Sequence, residues 1–102
     1  GRFIYLFANA DLPKFASNNR ATGTADENKA VVQGSIAIFG TYSTAGKELT
    51  MKVEHSTFPN WTGTDQKRTI AITGDELKWN NPAGSAGGVV ELVFKRAAAR
   101  TN

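Results

Sequence analysis

The side chain with the most latent chemistry in these 102 residues is the single histidine, His55. An imidazole changes charge near neutral pH, which suits a general base or a pH switch. His55 follows Leu49, Met51 and Val53 at a spacing of two, so the alternation puts it on the apolar side of a strand. That register favours a donor or acceptor facing a cavity. The plain alternative is a half-exposed polar residue at a strand end. Arg68 is the second candidate, in register with Ile70 and Ile72. A guanidinium on an apolar face costs several kcal/mol unless it is paired. Glu91, on the last strand, is the carboxylate best suited to pair with it. The other readings of Arg68 are a side chain snorkelling at a rim, or a clamp on the anion or carbonyl of a ligand.

Large side chains surround these polar ones. Phe58-Pro59-Asn60-Trp61 either lines the mouth of a cavity or plugs one end of the fold. Tyr42, Met51, Trp79 and Phe94 project from strands as core or as cavity wall. Asn18-Asn19-Arg20 lies between two elements, as a surface loop or as a cover over an opening.

Other chemistries lack their residues. Without cysteine there is no disulfide, thiol nucleophile or thiolate-bound metal. One histidine does not make a multi-histidine metal site, and no cofactor is expected. No phosphate-cradling glycine loop, Gly-x-Ser-x-Gly elbow or paired-carboxylate signature is present. Twelve Lys and Arg against nine Asp and Glu give a net charge of +3. These cations are dispersed, from Arg2 to Arg100, with no basic-aromatic run, so nucleic acid is not an expected partner. No apolar run approaches the roughly 18 residues of a membrane helix.

The elements that must position the candidates are mostly strands. Phe3 to Phe7 is an apolar run without polar alternation, either buried on both faces or an edge strand taking a partner. Thr24-Ala25-Asp26-Glu27 matches a capping box and predicts a helix over about Ala25 to Gln33, with Gly34 as its cap. Ser35 to Ser43 is β-branched and aromatic, and Gly40 within it marks a bend or bulge. Alternating strands follow around Leu49 to Val53, Arg68 to Ile72, Leu77 to Trp79 and Val89 to Arg96. Asn80 to Gly88 reads as loop, and the tail from Ala97 to Asn102 as a fraying end. The fold class is all-β: one domain over 1–102, an antiparallel up-and-down barrel with one short helix.

Several of these segments together resemble the lipocalin-like domain family of small bacterial and fungal proteins. The similarity runs through Asp11-Leu12-Pro13-Lys14-Phe15, Gly23-Thr24-Ala25-Asp26-Glu27 and Phe39-Gly40-Thr41-Tyr42. It is strongest over Ser56-Thr57-Phe58-Pro59-Asn60-Trp61 and Gly63 to Arg68, and closes at Glu91-Leu92-Val93-Phe94-Lys95-Arg96. The resemblance implies a β-barrel with an interior cavity. It also implies an N-terminal Gly-Thr-Trp strand ahead of Gly1, so the barrel is expected to be incomplete or completed by a partner chain.

Three functions follow as expectations. The first is non-catalytic binding of a small hydrophobic or amphipathic molecule, with Tyr42, Met51, His55, Phe58, Trp61, Arg68, Trp79 and Glu91 as candidate contacts. The second is a small cofactor-free cyclase or isomerase, using His55 or a carboxylate in the same cavity. The third is an assembly module, a homodimer sharing strands through open sheet edges.

Overall fold

The computed structural model describes residues 1–98. Six strands and one α-helix run in the order β1 (Arg2–Ala8), α1 (Ala25–Gly34), β2 (Ser35–Ala45), β3 (Glu48–Ser56), β4 (Asp65–Thr73), β5 (Glu76–Asn81) and β6 (Val90–Lys95). Short 3-10 turns lie at Arg20–Thr22 and Pro59–Trp61. The sheet order is sequential and each neighbouring pair is antiparallel. The end of the expected fraying tail, 99–102, lies outside the described residues. No helix among the described residues is long and apolar enough to cross a membrane.

The capping box forms as its residue types require. The Thr24 hydroxyl accepts from the Glu27 amide at 3.2 Å, and Glu27 Oε1 accepts from the Thr24 amide at 2.8 Å. Glu27 Oε2 also accepts from the Ala16 amide at 2.9 Å, tying the preceding loop to the helix. Gly34 does not stop α1 as a separate cap. It is the last helical residue, and the chain passes straight into β2 at Ser35.

The hydrogen bonds from Thr24 and Ala16 hold the Glu27 carboxyl below its ordinary pKa. A folded-state pKa that is depressed stabilises the fold above the ordinary glutamate range. That contribution is lost as pH falls through the folded value. Glu27→Gln, which mimics the protonated acid, is therefore expected to melt a few degrees below the parent at neutral pH. The gap should narrow as pH is lowered through about 4. Melting curves across a pH series test this, and a gap independent of pH would contradict it.

Tight turns close the hairpins. The loop between β4 and β5 is Gly74-Asp75, where Gly74 supplies a φ of 59°. Gly40 has a different task. A Cβ there would run into the carbonyl oxygen of Lys52 on β3, so the two backbones approach where only glycine fits. At this point the register slips. Gly40 faces Val53 but Phe39 faces His55, leaving Glu54 as an extra residue on β3. This is the bulge that Gly40 marks in the sequence.

The sheet curls without closing. Among the described residues, β1 pairs only with β2 and β6 only with β5, so the molecule is a half-barrel with two open edges. β1 is not buried on both faces. Ile4 and Leu6 are 78% and 71% exposed, while Phe3 and Tyr5 turn toward the core. The missing alternation reflects an edge strand with apolar residues on both sides.

Aromatic side chains bridge the open seam instead. The ring of Tyr5 on β1 lies 5.3 Å from that of Trp79 and 6.1 Å from that of Phe94 on β6. Trp79 and Phe94 meet edge to face at 4.9 Å. These rings join Leu49 and Met51 in the core, with Phe3, Ile70 and Leu92 packed around it.

Candidate ligand-binding site

The concave face of the half-barrel is set by alternation. Met51 on β3, Arg68 on β4 and Trp79 on β5 all point inward and are buried. Arg68 pairs with Leu49 across β3, and Ile70 with Trp79 across β5. The register that drew attention to Arg68 thus carries its guanidinium into the interior, where the residue is only 4% exposed.

No carboxylate of the described residues meets it there. Glu91 is exposed on the outward-facing set of β6, between the inward Val90 and Leu92. The ion pairs of the described residues, Arg2–Glu54, Lys67–Glu48 and Arg96–Asp75, are all exposed and none involves Arg68. The expected Arg68–Glu91 pair does not form, because the two side chains leave the sheet on opposite faces.

Two indole rings take the place of the acid. The Arg68 Cζ lies 5.3 Å from the centroid of Trp61 and 5.7 Å from that of Trp79, within cation–π range of both. Nη1 donates to the Lys67 carbonyl at 2.9 Å. Nε is buried and has no partner among the described residues. Burial lowers the Arg68 pKa and the nearby Tyr5 phenol partly offsets this. The guanidinium stays charged, since an arginine does not lose its proton in a protein. Burial also raises the Tyr5 pKa, opposed by the charge of Arg68, so Tyr5 remains a neutral hydroxyl.

A firmly held corner presents Trp61. The Thr57 amide donates to the Ala37 carbonyl at 2.9 Å, and the Ala37 amide donates to Thr57 Oγ1 at 2.9 Å. The Phe58 amide donates to Ser56 Oγ at 3.0 Å, and Thr64 Oγ1 donates to the Trp61 carbonyl at 2.6 Å. Phe58 and Trp61 pack edge to face at 5.6 Å. This segment of hydroxyl and aromatic residues is one fixed unit between β3 and β4.

Three spaces lie along the inner face. A pocket of about 70 Å³ is walled by Tyr5, Trp61, Arg68, Trp79 and Asn81. A groove of about 540 Å³ beside α1 is lined by Phe7, Val32, Ile36, Phe58 and Leu92, and shares Tyr5 and Ser85 with the small pocket. Beyond Tyr5 and Trp79 is an apolar chamber of about 350 Å³, lined by Phe3, Leu49, Met51, Ile70 and Phe94, with Tyr42 at its edge. No Asp or Glu lines any of the three. Among the described residues the interior therefore has one cation, several neutral donors and no acid.

The candidates divide accordingly. Met51, Trp61, Arg68 and Trp79 line the inner spaces, Phe58 the groove, and Tyr42 the chamber edge, where it is exposed. His55 does not face the cavity. The extra residue at Glu54 turns it outward onto Phe39, with ring centroids 5.5 Å apart. Three contributors carry a weaker signal in the sequence. Tyr5 stands in an unalternating apolar run, although it shares parity with Phe3. Asn81 belongs to β5 and not to the loop expected over Asn80 to Gly88, and Leu77, Trp79 and Asn81 continue one alternation into the core. Ser85 belongs to a glycine-rich loop without periodicity.

The model of a lipocalin-like domain family matches residues 1–97. Comparison with curated proteins and with solved structures finds no match.

Proposed function

Because the chain belongs to the lipocalin-like domain family, we propose that it binds a small hydrophobic or amphipathic molecule along the concave face. The observation that carries this reading is the pair of spaces, a mixed but mainly apolar groove of about 540 Å³ and an apolar chamber of about 350 Å³, on either side of the Arg68 pocket. Volumes of this size suit small organic ligands, and a mostly apolar lining with few polar groups is the usual character of such sites. The acid–base alternative relied on His55 or a carboxylate in the cavity; His55 faces outward onto Phe39, and no Asp or Glu lines the three inner spaces.

A neutral dye such as Nile red tests the site directly. Its emission should rise on binding to the parent protein. Ser85→Trp should lower its affinity about 10-fold, the equivalent of 1.4 kcal/mol, with an unchanged melting temperature. Ser85 is exposed and lines both groove and small pocket, so an indole there obstructs without disturbing the core. Equal affinity for the two proteins would count against this site.

A second reading, strand sharing between two copies, is favoured by the open edges of β1 and β6 and by the exposed Ile4 and Leu6. Native mass spectrometry of the purified protein reports a retained ligand and a dimer in one measurement. A bare monomer would remove this second reading.

A further inference from the structure

We propose that the ligand is a carboxylate with an apolar tail, and that Arg68 receives its head group in the 70 Å³ pocket. The inference rests on the binding reading above and adds the charge of what is bound.

Arg68 is only 4% exposed, yet its Nε has no partner among the described residues. Two indole faces attract a cation but accept no conventional hydrogen bond in the guanidinium plane. A planar carboxylate matches the guanidinium fork and supplies both the missing acceptor and the missing charge.

The neighbours are set for an anion. Asn81 Oδ1 accepts from the Ala83 amide at 3.0 Å, which leaves the carboxamide NH₂ as its donor. The Tyr5 hydroxyl is neutral and shares the same wall. An arginine, an amide NH₂ and a phenol converge on one small space lined by no acid. A pocket of that size holds a head group and not a whole amphipath. The tail then takes the adjoining groove, which shares Tyr5, Ile36, Ser85, Val90 and Leu92 with the pocket.

Trp61 and Trp79 flank the cation, so their intrinsic emission can report occupancy. Octanoate and 1-octanol, which share a tail length but differ in charge, are titrated into the parent protein, Arg68→Met and Arg68→Lys. Octanoate should bind the parent at least about 10-fold more tightly than 1-octanol, the step worth 1.4 kcal/mol. Arg68→Met should lose that preference and keep its affinity for 1-octanol, which also reports that the variant is folded. Arg68→Lys should keep part of the preference. Equal affinity of the parent for the two compounds would overturn the carboxylate and leave the apolar site standing. Binding of neither compound would overturn both. Octyl phosphate bound more tightly than octanoate would overturn the carboxylate in favour of a phosphate.

Discussion

Arg68→Met raises the melting temperature of the ligand-free protein. The expectation follows from weighing what the guanidinium gains inside against what it lost in water. Desolvation of a lone cation costs several kcal/mol. Against this stand two cation–π contacts, each worth about 0.5–2 kcal/mol, and one hydrogen bond to the Lys67 carbonyl. Nε contributes a further unmet donor. Methionine fills much of the same volume, packs well on indole rings and brings no charge. The net gain is about 1–3 kcal/mol. For a domain of this size that is a rise on the order of 10 °C. Thermal denaturation of the parent and the variant decides it, and a fall in melting temperature would show that the indole faces and the Lys67 carbonyl outweigh desolvation. The same scan applied to Glu91→Gln and to the double variant should give additive shifts, within about 0.5 kcal/mol, because Arg68 and Glu91 lie on opposite faces.

Gly40→Ala has the opposite sign and a larger size. The added methyl would occupy the position of the Lys52 carbonyl oxygen and crowd the Glu54 amide at 3.0 Å. Both obstacles are backbone, which does not rotate aside as a side chain can. The strands must separate, and the bulge that lets β2 curl over β3 goes with them. We expect a loss of about 3 kcal/mol or more. Small domains have only about 5–15 kcal/mol in total, so the variant should be poorly folded at ambient temperature. Urea denaturation gives the number. Ser43→Ala, on the exposed outer stretch of the same strand, is the control and should stay within about 0.5 kcal/mol of the parent. If Gly40→Ala were equally mild, the close approach of β2 and β3 would not be a constraint on the fold.

The strands and the helix were legible because each has a local cause. Period-two alternation marks β3 to β6, and the Thr24–Glu27 box marks the start of α1. Gly40 was legible as a bend, yet the residue its bend displaces was not. Counting by twos through Glu54 puts His55 inside. One extra residue inverts the parity, and nothing local to His55 announces it. The face of Arg68 was legible for the converse reason, since no bulge intervenes between Arg68 and Ile70. The face of Glu91 was legible too, because Val90, Leu92 and Phe94 define the inner set of β6. The electrostatic demand of Arg68 suggested a pairing that this alternation already opposed. What answers that demand is Trp61, an aromatic from a loop. Its place depends on the hydroxyl bonds of Thr57, Ser56 and Thr64, which no periodicity encodes.

The seam between β1 and β6 is spanned by the Tyr5 ring against Trp79 and Phe94 and, among the described residues, by no backbone ladder. Parting it breaks ring contacts worth about 0.5–1.5 kcal/mol each beyond their buried area. A ladder would have to open bond by bond along its whole length. The wall of the interior is therefore hinged along one side like the cover of a book, with the spine at the central strands. For the ligand proposed above, this makes the fore-edge the expected way in and out, with a residence time set by how tightly the Tyr5 ring latches against Trp79 and Phe94.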